Sequence, residues 1–162
     1  MALVYLGIGS NLQPKTNFRL ALRELSNRFS VLQLSPVYRN QPVGFAGADF
    51  LNAVACVETD LCPQKVCQEL EDIHDIAGRA RGGTRLQSRT LDIDLLLYDD
   101  LVIDEKPVSV PRSDILDYAF VLQPLVDIAP DLKHPQSGRT LSQHWDDMDA
   151  AAHPLQEEPG IF

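Results

Sequence analysis

Apolar positions recur along this chain with two periods, and the switches between them mark out its elements. Leu3 to Ile8 is a short apolar run ending at the Gly7-x-Gly9 turn, the form of a buried strand. Pro14 suits a first helical turn, and Phe18, Ala21, Leu22, Leu25 and Phe29 then recur at helical spacing. Val31 to Leu34, resumed at Val37-Tyr38 after Pro36, predicts an edge strand, because proline removes a ladder donor. Residues 40–47 read as a loop with aromatic content. Phe50 to Glu58 predicts another strand. Pro63 opens a helix with Val66, Leu70, Ile73 and Ala77 on one face, which Gly78 is expected to stop. A strand carrying Asp92 and Asp94, a hairpin from Leu101 to Val110 and a helix from about Phe120 to Ile128 complete the pattern.

The order β-α-β-β-α-β predicts an α+β, ferredoxin-like antiparallel sheet with both early helices on one face. The Phe120–Ile128 helix is available to cover the other, giving three layers, α-β-α. Residues 1–145 are expected to form a single domain. Residues 146–162, rich in Asp, Glu, Ala and Pro and without periodicity, are expected to be a loosely attached tail.

The candidate chemistry lies in Thr90-Leu91-Asp92-Ile93-Asp94. On a strand, Leu91, Ile93, Leu95 and Leu97 would line one face and Thr90, Asp92 and Asp94 the other. Two carboxylates so placed stand about 7 Å apart at their Cα atoms. In an apolar strand they repel one another and are partly desolvated, which calls for a cation or a raised pKa. Hard oxygen ligands with no Cys or His beside them suit Mg²⁺, which carboxylates usually bind together with substrate phosphates. By itself a D-x-D pair is more simply a solvated acidic face. The segment before it shifts the balance. Arg79, Arg81, Arg85 and Arg89 fall between Gly78 and Thr90, interleaved with Gly82 and Gly83 and with no lysine. Guanidinium forks bind phosphate oxygens bidentately. An arginine loop feeding a carboxylate pair is what a metal–polyphosphate site requires.

At 162 residues and 44% hydrophobic the chain has length and apolar content for a full core. Cys56, Cys62 and Cys67 cannot all pair, and neither they nor the four histidines show metal-ligand spacing, so buried thiols in a reducing cytoplasm are expected. No secretory leader or membrane span is expected. A net charge of -9 and a pI near 4.7 argue against general nucleic-acid binding.

Tyr5-Leu6-Gly7-Ile8-Gly9-Ser10-Asn11-Leu12, Phe50-Leu51-Asn52-Ala53 and Arg89-Thr90-Leu91-Asp92-Ile93-Asp94 occur in that order, followed by Pro111, Phe120, Gln123-Pro124-Leu125 and Ile128-Ala129-Pro130. In these segments the chain resembles the 6-hydroxymethyl-7,8-dihydropterin pyrophosphokinases of folate biosynthesis, over roughly residues 3–135. The resemblance implies transfer of pyrophosphate from ATP to the pterin hydroxymethyl group, with release of AMP. It implies two Mg²⁺ ions held by Asp92 and Asp94, and Arg79 and Arg89 on the transferring phosphates. ATP-side contacts would come from Arg81, Arg85, Leu95, Ser109 and Arg112, and pterin contacts from Asn40, Val43, Phe50, Asn52 and Phe120. ATP and a reduced pterin are then the partners expected, with no nucleic acid and no membrane, for a cytoplasmic monomer.

Several positions depart from the family pattern. Arg85-Leu86-Gln87-Ser88 stands where Arg-Trp-Gly-Pro is usual, Arg112 where a histidine is, Tyr118 where an arginine is, His74 where an acid is, and Pro107 where a basic residue is common. A catalytically weakened pterin-binding or regulatory paralogue is therefore the alternative reading. An RNA-recognition module on the same sheet is a third, opposed by the charge and by the lack of an aromatic-and-basic sheet motif.

Overall fold

The computed structural model describes residues 1–42, 47–79, 91–149, 152 and 154–162, with only the backbone of Arg79. The strands are β1 (Ala2–Ser10), β2 (Ser30–Leu34), β3 (Tyr38–Asn40), β4 (Phe50–Thr59), β5 (Asp92–Tyr98), β6 (Ile103–Glu105), β7 (Val108–Val110) and β8 (Gln156–Glu157). The helices are α1 (Pro14–Arg28), α2 (Pro63–Arg79), α3 (Asp114–Asp117), α4 (Ala119–Ile128) and α5 (Leu141–Asp147). Among the described residues one sheet runs β5-β1-β4-β3-β8, with β2 also pairing β4, and all its pairings are antiparallel. β6 and β7 form a separate hairpin. This is the expected ferredoxin-like, three-layer α-β-α architecture.

Alternation along the strands divides the core in two. Val4, Leu6, Ile8, Ala53, Ala55, Val57 and Ile93 face α1 and α2, meeting Phe18, Leu25, Val66 and Ile73. On the opposite face Tyr5, Val54, Cys56 and Leu96 meet Ile115, Leu122 and Leu125, most of them from α4. Each sheet face thus buries an apolar stripe of a helix that could not be stable alone.

Three expectations are corrected. Leu97 does not follow Leu91, Ile93 and Leu95. The β1–β5 register slips between Tyr5 and Leu6, so Leu97 pairs Tyr5 while Leu95 pairs Leu6. The bulge turns Leu97 to the α4 side, where it is buried beside Leu96. Gly78 does not stop α2, which runs to Arg79. Nor do residues 156–162 hang loose. β8 pairs β3, the Glu158 N–H donates to the Val37 carbonyl at 2.7 Å, and Arg39 Nε donates to Glu158 at 2.6 Å. Ile161 is only 3% exposed within the main core, and the Phe162 ring lies 5.7 Å from that of Phe18. The residue at 146 falls inside α5, whose start carries a capping box between Thr140 and Gln143.

Ile161→Ala should lower the unfolding free energy by about 2–4 kcal/mol, the usual range for truncating a buried isoleucine. Urea denaturation measures this; a change below about 0.5 kcal/mol would mark the segment as a surface appendage.

Candidate active site

β1 carries two glycines opposite the polar residues Asn52, Asp92 and Asp94 of its neighbours. Gly9 lies between Asn52 of β4 and Asp92 of β5, and Gly7 lies between Val54 and Asp94. All six residues are on the α4 side of the sheet; Val54 belongs to its apolar cluster, and Asn52, Asp92 and Asp94 lie beyond the end of it. A Cβ on Gly9 would stand 2.9 Å from Asn52 Oδ1, so this carboxamide can lie across the strand only because the side chain is missing. Asn52 Nδ2 donates to Asn40 Oδ1 at 2.5 Å, which leaves its second N–H and its carbonyl oxygen available to a ligand.

These residues floor a cleft of about 410 Å³ that brings together Asn40, Phe50, Asn52, Phe120, Asp92 and Asp94. Tyr118 and Asp114 complete its wall. The Tyr118 and Phe120 rings are stacked, with centroids 4.9 Å apart and planes 19° apart. A second cavity, about 220 Å³, opens on the other side of Asp94 and is lined by Leu95, Ser109, Arg112, Cys67 and Gln68. Asp94 lines both cavities. Of the remaining candidates, Val43, Arg81, Arg85 and Arg89 lie outside the described residues, as does the side chain of Arg79.

The acid pair is electrostatically tense. Burial, followed by the neighbouring charge of Asp92, pushes the Asp94 carboxyl up to about 6, with Arg112 pulling the other way. Arg112 Nη2 lies 3.8 Å from Asp94 Oδ1 while Nε donates to Asp114 Oδ2 at 3.0 Å. On the far side, the Ile93 N–H donates to His74 Nε2 at 2.8 Å. That bond assigns the ring hydrogen to Nδ1, which faces Glu71 at 3.2 Å. His74 Nε2 also lies 3.8 Å from Asp92 Oδ1.

Sequence reasoning overlooked Asp114 and did not see Tyr118 as a wall. The aromatic pair at Tyr118-x-Phe120 was a legible signal; the approach of Asp114 was not, since it depends on how α3 returns to β5. Among the described residues no three His, Cys, Asp or Glu side chains form a metal-sized group. Two carboxylates with all-oxygen donors and a surplus of negative charge still fit Mg²⁺, which takes one or two protein carboxylates and completes its shell with water and phosphate.

Comparison with known proteins places these observations in a family. The model of the 7,8-dihydro-6-hydroxymethylpterin-pyrophosphokinase family matches residues 5–130. The chain is 37% identical over 141 residues to a 2-amino-4-hydroxy-6-hydroxymethyldihydropteridine pyrophosphokinase of Haemophilus influenzae, covering 85% of this chain and 88% of that protein. It is likewise 37% identical over 144 residues to the Pseudomonas aeruginosa protein of that name, covering 86% and 88%. It also resembles the solved HPPK-DHPS of Plasmodium falciparum with a TM-score of 0.73 at 14% identity, covering 91% of this chain and 43% of that one. At that identity the likeness concerns the fold alone.

Because the folded-state carboxyl of Asp94 titrates above its ordinary value, ionising it works against the fold. The penalty is absent below about pH 4, where the group is protonated folded or unfolded, and complete above about pH 6. Metal-free Asp94→Asn should therefore match the parent near pH 4 and exceed it by about 1–3 kcal/mol at pH 7–8. Urea unfolding across this range is the measurement; a pH-independent difference would contradict the electrostatic account.

Proposed function

This chain belongs to the 7,8-dihydro-6-hydroxymethylpterin-pyrophosphokinase family, and we propose that it transfers pyrophosphate from ATP to the hydroxymethyl group of 6-hydroxymethyl-7,8-dihydropterin, releasing AMP. The observation that carries this reading is Asp94 as the shared wall of two cavities, one lined by Phe50, Tyr118 and Phe120, the other by Arg112 and Ser109. A bisubstrate transfer needs two such chambers meeting at the reacting atoms.

In this reading the pterin ring occupies the larger cleft, against Phe50 and Phe120, whose faces favour stacking. Asn52, held by Asn40, offers a donor and an acceptor to the ring edge. The nucleotide occupies the smaller cavity, with Leu95, Ser109 and Arg112 against it and Arg79, Arg81, Arg85 and Arg89 supplying guanidinium groups to the phosphates. Two Mg²⁺ ions held by Asp92 and Asp94 would supply charge neutralisation at the attacking and leaving oxygens. No side-chain nucleophile stands beside a base among the described groups of the cleft. The pterin hydroxyl oxygen accordingly attacks the β-phosphorus in line and releases its proton to solvent, the bond to the α-phosphate oxygen breaks, and AMP leaves with that oxygen. A carboxylate oxygen of the pair orients the hydroxyl.

Incubation with Mg²⁺, ATP and the hydroxymethyl dihydropterin should yield AMP, and Asp92→Asn or Asp94→Asn should each lower turnover by on the order of 10² or more. Pterin binding without AMP would replace this reading with the pterin-binding paralogue. Near-normal AMP production by both variants would overturn the metal assignment.

Gly9→Ala tests the pterin side independently. The new methyl meets the end of a flexible side chain, so the fold should lose no more than about 1 kcal/mol. Displacing the Asn52 carboxamide removes recognition of the ring edge, and pterin affinity should fall on the order of tenfold, as expected for one or two lost hydrogen bonds. Calorimetric titration reads both ligands; unaltered pterin affinity would remove Asn52 from the site.

A further inference from the structure

Arg112 connects the two cavities. Its backbone is fixed at the start of α3, with its N–H donating to the Leu96 carbonyl at 3.0 Å and its carbonyl accepting from the Ile115 N–H at 3.2 Å. Its side chain is held less firmly. Nε donates to Asp114 Oδ2, but the 3.8 Å between Nη2 and Asp94 Oδ1 is charge proximity rather than a hydrogen bond. The guanidinium is 37% exposed and borders the smaller cavity, while the carboxylates it approaches border the larger. Among the described side chains it is the permanently charged cation that reaches the acid pair.

A cation so placed serves two sets of anions that are never presented together in the ligand-free protein. Without ligands it offsets the repulsion among Asp92, Asp94 and Asp114. A divalent ion binding at Asp94 would be repelled by it, so ion and guanidinium compete for one carboxylate. When polyphosphate enters the smaller cavity, the same guanidinium has a better-matched, bidentate anion within reach. Resting on the functional reading above, we propose that Arg112 is a placeholder cation. It occupies Asp94 in the ligand-free protein and transfers to the nucleotide phosphates, so that divalent ions bind weakly alone and tightly with nucleotide.

The test measures Mn²⁺ binding to the full chain by electron paramagnetic resonance, with and without a non-hydrolysable ATP analogue. Arg112→Gln should tighten Mn²⁺ alone by on the order of tenfold, as for removal of a unit charge about 4 Å from the ion's ligand. The same variant should weaken the Mn²⁺–nucleotide complex. Arg112→Lys, which keeps the charge, should bind Mn²⁺ alone within about twofold of the parent. Unchanged or weaker binding of Mn²⁺ alone to Arg112→Gln would overturn the proposal, as would tightening equal to it in Arg112→Lys. AMP formation by the parent is read separately. If the parent makes AMP but Arg112→Gln leaves Mn²⁺ affinity unchanged, only the placeholder fails; tighter Mn²⁺ binding in a protein that makes no AMP removes the pyrophosphokinase reading instead.

Discussion

Holding Asp92 and Asp94 on one face of β5, half out of water and within reach of each other's charge, is the constraint around which this molecule is arranged. Burial and the neighbouring charge of Asp92 push the carboxyl of Asp94 up to about 6. The ladder to β1 prevents escape: each acid is paired in register with a glycine, Asp92 with Gly9 and Asp94 with Gly7. The missing side chains make room over β1 for those of its neighbours, Asn52 over Gly9 and Leu96 over Gly7. A site for a highly charged ligand thus follows from a tight backbone rather than from a flexible one.

The two sides of the sheet divide the work. The face toward α1 and α2 is apolar from Val4 to Ile8 and from Ala53 to Val57, against the fully buried Phe18, Leu25 and Ile73. Its burial sustains the strands and allows the other face to be interrupted. On that other face α4 covers only the half bearing Tyr5, Val54 and Cys56. The remaining half, bearing Gly7, Gly9, Asn52, Asp92 and Asp94, opens into the cleft. The same alternation that gives β4 a buried Leu51 and Ala53 gives it Phe50 and Asn52 for the site.

What could be read from sequence was whatever local spacing encodes. The helix stripes at Phe18–Leu25 and Val66–Ala77, the strands and the shared face of Asp92 and Asp94 all follow from periods within one segment. What could not be read depends on a partner strand or a distant segment. Leu97 turns away because β1 slips against β5, which the alternation of β5 alone does not reveal. The docking of Ile161 requires a slot formed by residues far earlier in the chain. His74 meets the backbone of Ile93 across a gap of 19 positions, and its bond selects a tautomer that no spacing specifies. α5 is different. Thr140 and Gln143 form a capping signal that was legible in the sequence and was overlooked. The arginines at 81, 85 and 89 and Val43 lie outside the described residues, so their roles rest on the motif alone.

The family match ends at residue 130, yet the later residues support the elements on which the cleft is built. Leu141 of α5 is buried in the cluster beneath α4, the helix that carries Phe120. β8 pairs β3, the strand that carries Asn40, and Glu158 pairs with Arg39 next to it. β3 is only three residues long, and an edge strand of that length has little stability of its own. Covering its outer edge with β8 satisfies its free backbone groups and fixes the register that puts Asn40 beside Asn52. The C-terminal segment reaches neither acid, and its influence on the site runs through the two elements it braces.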